Sequence, residues 1–241
     1  MSQSSSTKLP VVFLPGYLCD QRMFLAQAFE LSGEHVVIHA PLRGERCEEI
    51  ASDLLLKLPR HFALVGASLG GTVALEILRK APDRVKRLCL IATDVFPDAP
   101  LVSAAREPLL VQAKVGRLDD AIRGTLPAEA LAPGPGRAEV IAFHAEMASS
   151  YGQAGFLSQT RAMQRRRDHQ STLVHAQCPV RIIAGQHDQV ITPKRQAFMA
   201  DLAPMAQLSA IATAGHLPSL EAPEEVSAIL SDWLTKSPAL A

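Results

Sequence analysis

Short apolar runs recur along the chain, separated by segments in which apolar residues return every three or four positions. The runs are continuous rather than alternating, which is typical of strands that helices cover on both faces. The helical spacing predicts helices over 48–58 and 69–80, and two more that begin at Pro193 and Pro223. This alternation predicts an α/β fold with a doubly wound, mostly parallel sheet. The six predicted strands are Val11–Leu14, Val36–Ile38, Phe62–Val65, Leu88–Ile91, Val180–Ala184 and Leu208–Ile211.

One long stretch, from Asp94 to about Gln177, contains no strand-like run. It is rich in Ala, Arg, Pro and Gly, and the pieces between its prolines have a helical pattern. A connection of this length with helices of its own is better explained as a helical cap than as a loop. We therefore predict a core formed by residues 9–93 and 176–236, a cap insertion at 94–175, and a disordered segment at 1–8.

The composition disfavours several classes of partner. Lys and Arg together number 24, as do Asp and Glu, so the formal net charge is zero. This balance does not favour binding to nucleic acid or to an anionic membrane surface. No segment resembles a signal peptide or a membrane-spanning helix. The four scattered cysteines, Cys19, Cys47, Cys89 and Cys178, are expected to be small buried thiols, and a reduced, cytoplasmic protein is the simplest interpretation.

A candidate nucleophile lies between a predicted strand and a predicted helix. The sequence Gly66-Ala-Ser-Leu-Gly70 has the pattern G-x-S-x-G, in which the serine stands on a sharp, strained turn at the top of the sheet. The flanking glycines are required because the chain passes so close that a Cβ would clash. Ser68 is therefore a candidate nucleophile. The alternative is a tight glycine-rich turn whose hydroxyl only caps the helix.

A candidate acid and a candidate base follow two later strands. Asp188 comes after the strand that ends in Ile182-Ile-Ala, and His216 lies on the loop before the last helix. The carboxyl ends of parallel strands meet at one edge of the sheet, so both side chains are expected near Ser68. The order Ser, Asp, His is the order of an α/β-hydrolase triad. Asp94 also follows a strand and is an alternative acid, and each residue taken singly fits an ordinary loop position.

Over nearly its whole length the sequence resembles the α/β-hydrolase superfamily, most of all its small-molecule esterases and lactonases such as 3-oxoadipate enol-lactonases. The matching segments are Leu14-Pro-Gly16, Ala40-Pro-Leu-Arg-Gly44, Gly66-Ala-Ser-Leu-Gly-Gly71, Gly185-Gln-His-Asp188, Gly215-His216 and Leu220-Glu-Ala-Pro223. The resemblance implies an oxyanion hole formed by the backbone amides of Tyr17 and Leu69. It also implies a sheet shortened at its N-terminal edge, because family members usually begin with two further strands. A serine at position 68 disfavours the members that use an aspartate nucleophile.

The expected activity is hydrolysis of a small carboxylic ester or lactone through an acyl-enzyme on Ser68, with no metal and no organic cofactor. A cofactor-free lyase, a carbon–carbon bond hydrolase and a non-catalytic ligand-binding protein remain alternatives. Arg161 and the Arg165–Arg167 run can bind a substrate carboxylate or form a solvated helix face. A homodimer is compatible with the sequence. The candidate pocket residues, which also fit an ordinary cap core, are Tyr17, His144, Met147, Tyr151, Phe156, Met163 and Arg161.

Overall fold

Six parallel strands form one sheet in the computed structural model, which describes residues 8–235. All six predicted strands are confirmed; the last four extend beyond the predicted limits, and the second is shifted by one residue. The order across the sheet is β2-β1-β3-β4-β5-β6, so β3 and β4 form the central pair and β1 lies beside β3. The strands are β1 (Val11–Leu14), β2 (Val37–His39), β3 (Phe62–Ala67), β4 (Val85–Ile91), β5 (Val180–Gly185) and β6 (Ala206–Ile211).

Helices connect and cover these strands. The predicted helix at 69–80 has the predicted limits, and helices begin at Pro193 and Pro223 as expected. The helix predicted at 48–58 instead ends at Leu55, because Pro59 has no N–H to donate to the Leu55 carbonyl. The helices are α1 (Leu25–Ser32), α2 (Cys47–Leu55), α3 (Leu69–Lys80), α4 (Pro100–Ala105), α5 (Glu107–Lys114), α6 (Leu118–Arg123), α7 (Arg137–Ser150), α8 (Gly152–Gln164), α9 (Gln170–Val174), α10 (Pro193–Leu202), α11 (Pro218–Glu221) and α12 (Pro223–Thr235).

The core has two halves, one on each face of the sheet. Alternate residues of β1 point to opposite faces, so that Val11 and Phe13 join one half while Val12 and Leu14 join the other. Helices α1 and α12 pack together over the first face, and α2 and α3 pack together over the second. Burial on both faces explains why the strands are continuously apolar and confirms the doubly wound arrangement.

The chain between β4 and β5 contains six helices, α4–α9, and no strand is found there. Helix α7 packs on α8 and α11, and α9 packs on α3, so this helical segment contacts the core at several points. Residues 1–7 of the predicted disordered segment and residue 236 of the predicted core lie outside the described residues. Lys8 is described, and its ammonium lies 2.6 Å from the Glu34 carboxylate. Within residues 8–235, no helix is both long enough and apolar enough to cross a bilayer.

The central packing contact of the sheet is the approach of α3 to β1. A Cβ placed on Gly70 would lie 2.2 Å from the carbonyl oxygen of Leu14, and one on Gly66 would lie 2.4 Å from the carbonyl oxygen of Gly70. The prediction that both positions require glycine is therefore confirmed. The nearest atoms at both positions belong to the backbone, so no flexible side chain can move aside to make room for a Cβ.

We predict that Gly70→Ala lowers the free energy of unfolding by at least about 2 kcal/mol, because the added methyl group overlaps fixed backbone. Chemical denaturation followed by circular dichroism measures the change. The matched control is Gly134→Ala, where an added Cβ meets nothing within 4 Å. Equal stabilities of the two variants would contradict the close contact.

Candidate active site

Ser68 occupies the single residue between the end of β3 and the start of α3. Its backbone has φ 45° and ψ −113°, a conformation that residues with a Cβ rarely adopt. Such strain costs about 1–3 kcal/mol and persists only where the surroundings impose it. Here the Ser68 N–H donates to the carbonyl of Ile91 at 2.9 Å, and the Thr93 hydroxyl donates to the Ser68 carbonyl at 2.9 Å. The turn presents the Ser68 hydroxyl above the edge of the sheet.

His216 joins Ser68 to Asp188. Its Nε2 lies 3.3 Å from Ser68 Oγ, and its Nδ1 lies 2.9 Å from Asp188 Oδ2. A carboxylate only accepts hydrogen bonds, so Nδ1 carries the proton and Nε2 is left as the acceptor for the serine hydroxyl. The other carboxylate oxygen of Asp188 accepts the N–H groups of Val190 and Ile191 at 2.8 and 2.9 Å. The three residues predicted from separate parts of the sequence therefore lie within hydrogen-bonding reach.

Asp94, the alternative acid, has other partners. Its carboxylate lies 2.9 Å from Arg195 and 3.4 Å from Arg166, and it accepts the N–H of Phe96 at 3.2 Å. His216 Nδ1 instead bonds to Asp188. The geometry therefore supports Asp188 as the partner of the imidazole.

The loop that carries His216 is held by a residue that the sequence analysis noted only as part of a family match. Glu221 accepts the N–H groups of Gly215 and Leu217 at 2.9 and 2.8 Å, and that of Ala132 at 2.7 Å. The His216 N–H donates to the carbonyl of Ala130 at 2.7 Å. The histidine loop is thus tied both to α11 and to the helical segment. The signal in the sequence that could have identified Glu221 is an acidic residue five positions after a loop histidine.

The two predicted oxyanion amides belong to the first residue of α3 and to the loop after β1. Among residues 8–235, neither the Leu69 N–H nor the Tyr17 N–H donates a hydrogen bond. The next residue, Leu18, has φ 56°, so this loop is also strained. A free amide at the N-terminus of a helix is a ready donor to a developing negative charge.

Helices α7 and α8 hold the loop after β1 in place. The Leu18 N–H donates to Gln159 Oε1 at 2.7 Å, and His144 Nε2 donates to the Tyr17 carbonyl at 3.4 Å. The Tyr17 hydroxyl lies 2.7 Å from the Thr160 hydroxyl. Gln159 was not among the sequence candidates, because nothing in the spacing of a helical glutamine indicates a partner more than one hundred residues away.

A cavity of about 80 Å³ lies beside Ser68. Of the seven candidate pocket residues, Met163 borders it. Three arginines also border it. Arg166 belongs to the run in which a carboxylate-binding residue was predicted, whereas Arg106 and Arg195 were not predicted as pocket residues. The full lining is Ser68, Ala92, Thr93, Pro97, Asp98, Ala99, Val102, Arg106, Met163, Arg166, Val190, Ile191 and Arg195.

The other six candidates lie outside the lining of this cavity. Met147 and Phe156 have no exposed surface, and each belongs to one half of the hydrophobic core. A core position was the alternative that their apolar character allowed. The Tyr151 hydroxyl donates to the Cys19 carbonyl at 2.7 Å, and the Tyr151 side chain lines a different pocket. Arg161 pairs with Glu107 at 2.6 Å. Tyr17 and His144 are buried in the contact between the loop after β1 and the helical segment.

The cysteines take no part in this site. All four are buried and unpaired by disulfides, as predicted. Cys19 is the cysteine beside the Tyr17 loop, and burial raises the pKa of its thiol to about 12. A thiol that stays protonated is a poor nucleophile.

Comparison with known proteins places this geometry in a family. Residues 49–223 match the family described as α/β hydrolase fold, so the chain belongs to that family. A pimeloyl-[acyl-carrier protein] methyl ester esterase from Aromatoleum aromaticum is 29% identical over 203 residues, which cover 80% of this chain and 81% of that protein. The structure of a thermophilic esterase from Thermogutta terrifontis, with malate bound, has a TM-score of 0.87 and 30% identity, and the alignment covers 95% and 90% of the two chains.

A more distant structure shares the fold. The enol-lactonase from Burkholderia xenovorans LB400 has a TM-score of 0.83 at 21% identity, with 98% of this chain and 94% of that chain covered. The resemblance to the α/β-hydrolase superfamily is therefore confirmed, and the protein is a hydrolase by family.

We predict that Glu221→Gln lowers the free energy of unfolding by about 1–3 kcal/mol, because the uncharged amide cannot accept all three N–H groups. Thermal and chemical denaturation measure the loss. Glu225→Gln, at an exposed position on α12, is the matched control and is expected to change little. A Glu221 variant as stable as the control would show that these hydrogen bonds contribute nothing.

The buried imidazole of His144 predicts a loss of stability in acid. Burial lowers its pKa to about 4, below the ordinary value of 6.5, so the unfolded chain binds a proton that the folded chain does not between these values. Stability must therefore fall as the pH falls through this range. Between pH 7 and pH 5 we expect the free energy of unfolding of wild type to fall by about 2 kcal/mol more than that of His144→Gln. Urea denaturation at the two pH values tests this, and parallel losses would refute it.

Proposed function

We propose that this hydrolase cleaves a small carboxylic ester or lactone by forming an acyl-enzyme on Ser68. The observation that carries the proposal is the continuous chain from Ser68 Oγ through His216 to Asp188, with separations of 3.3 and 2.9 Å. A serine hydroxyl beside an imidazole that is itself bonded to a carboxylate is the arrangement of an activated nucleophile. The relatives named as esterases and an enol-lactonase support ester or lactone substrates.

In the proposed reaction, Ser68 Oγ attacks the carbonyl carbon while His216 Nε2 accepts the hydroxyl proton. His216 then returns this proton to the leaving alkoxide, and the alcohol departs. A water molecule, deprotonated by the same nitrogen, hydrolyses the acyl-serine and regenerates the hydroxyl. Asp188 holds the imidazole in the required tautomer and stabilises the imidazolium that forms in each half-reaction.

The amides of Tyr17 and Leu69 stabilise the oxyanion of the tetrahedral intermediates in this proposal. Both N–H groups are without an acceptor among the described residues, which supports the assignment. The loop that carries Tyr17 is held by Gln159 and His144, so that the donor is fixed before substrate binds. Donors oriented in advance need no reorganisation during the reaction.

The helical segment between β4 and β5 acts as the cap over the site in this proposal. It contributes Met163, Arg106 and Arg166 to the cavity beside Ser68 and contacts both the Tyr17 loop and the His216 loop. A cavity of about 80 Å³ favours a short acyl group over a long chain. Residues 94–175 are the proposed extent of this cap.

Ser68→Ala tests the mechanism. We expect kcat on p-nitrophenyl butyrate to fall by about a thousandfold or more, because the acyl-enzyme cannot form. A fluorophosphonate probe is expected to label wild type at Ser68, and mass spectrometry identifies the modified peptide. Esters of increasing acyl length, a lactone and an enol-lactone, assayed beside the variant, define the preferred substrate type.

The control is Ser52→Ala, which changes an exposed serine on α2 and is expected to retain full activity and labelling. A correctly folded Ser68→Ala enzyme that keeps more than a few per cent of wild-type activity would refute the proposal. Turnover that depends on Ser68 but leaves no acyl adduct on it would instead indicate lyase chemistry.

A further inference from the structure

Three guanidinium groups line the cavity beside Ser68. They belong to Arg106, Arg166 and Arg195, and the only carboxylate in the same lining is that of Asp98. The first two arise from the helical segment and the third from α10, so no stretch of sequence contains this group. The chain as a whole has no net charge, and this concentration of cations is therefore a local feature.

Two buried aspartates hold the guanidinium groups in place. Asp98 accepts Arg166 Nη2 at 2.7 Å and Arg106 Nε at 2.9 Å, through different carboxylate oxygens. Asp94 lies 2.9 Å from Arg195 and 3.4 Å from Arg166. Both carboxylates have at most 1% of their side-chain surface exposed. The arginines are therefore oriented before any ligand arrives.

The pairing leaves one positive charge in excess, since three guanidinium groups share two carboxylates. Each guanidinium also has more N–H donors than the neighbouring carboxylate has acceptor positions, so some donors remain for a ligand. In a partly enclosed cavity water screens this charge less than at an open surface. A negatively charged oxygen in the cavity would both neutralise the excess and accept the remaining donors.

The rest of the lining fits a short hydrocarbon chain. Ala92, Val102, Met163 and Ile191 present apolar surface in the same cavity as Ser68 and the arginines. A ligand that fits this lining has an apolar middle, a reactive carbonyl at the serine, and an anionic end at the guanidinium groups. Arginine suits a carboxylate especially well, because the planar group binds both oxygens.

Building on the proposed ester hydrolysis, we propose that the substrate carries a carboxylate, and that Arg106 and Arg195 bind it while Ser68 attacks the ester a few bonds away. Arg106 and Arg195 have 15% and 41% of their side-chain surface exposed, so a ligand can reach them. Arg166 has 5% exposed and contacts both aspartates, which makes it the residue that holds the group together.

Two methyl esters of equal shape test the proposal. Monomethyl glutarate ends in a carboxylate, and methyl glutaramate ends in a neutral amide. We expect wild-type kcat/KM to be at least about tenfold higher for the charged ester, as charge-assisted hydrogen bonds imply. Arg106→Gln and Arg195→Gln are each expected to reduce this ratio to about threefold or less. Arg195→Lys keeps the charge and is expected to retain part of the preference, which separates a folding defect from the loss of a cation.

Arg165→Gln is the matched control, because Arg165 pairs with Glu45 at the surface and does not line the cavity. Its preference for the charged ester is expected to equal that of wild type. A second readout needs no turnover: glutarate, but not the neutral glutaramide, is expected to slow fluorophosphonate labelling of Ser68, and to do so less in Arg195→Gln.

The outcomes distinguish the two proposals. If Ser68 is labelled and esters are cleaved, but the charged ester has no advantage and glutarate gives no protection, carboxylate recognition is refuted and ester hydrolysis stands. If Ser68 is not labelled and Ser68→Ala is as active as wild type, the hydrolytic mechanism itself fails. Equal loss of preference in Arg165→Gln and Arg195→Gln would place the anion site outside the cavity.

Discussion

The contact on which the site depends is the close approach of α3 to the central strands of the sheet. The backbone at Gly70 lies against the carbonyl of Leu14, and that at Gly66 lies against Gly70. With both flanks immobile, the single residue between β3 and α3 has to reverse the chain direction, and Ser68 takes a positive φ. Packing in the sheet thus holds Ser68 in the strained conformation that exposes its hydroxyl. The favourable packing of the surrounding core offsets the free-energy cost of this strain.

Around this turn, the helical segment between β4 and β5 connects parts that the sheet alone leaves separate. Its side chains Gln159 and His144 hold the loop after β1, and the carbonyl of Ala130 accepts the N–H of His216. Glu221 completes the link by bonding to both the histidine loop and residue 132. The segment therefore helps to set the relative positions of the candidate base and the candidate oxyanion donor, in addition to lining the cavity.

The electrostatic character of the cavity arises at the same junction. In a chain with no net charge, Arg106, Arg166 and Arg195 lie together beside Ser68, and ion pairs with two buried aspartates hold them there against their mutual repulsion. Buried carboxylates would be costly without such partners, so the five groups stabilise one another. The one guanidinium charge that the aspartates leave unneutralised is the basis of the proposed preference for a substrate with a carboxylate. Ester hydrolysis by itself does not require such a preference.

The sequence by itself determined the approximate positions of the strands, the four helices over or beginning at 48–58, 69–80, Pro193 and Pro223, and the candidate residues Ser68, Asp188 and His216. Continuous apolar runs, proline positions and the G-x-S-x-G turn are local signals, and parallel strands necessarily bring their carboxyl ends to one edge. Only the tertiary structure decided what lines the cavity. Helical positions such as Phe156 or Met147 are apolar whether they face a pocket or a core, so their burial could not be assigned from spacing. Arg106 and Arg195 lie far apart in the chain and meet only through folding, because long-range ion pairing has no periodicity in sequence.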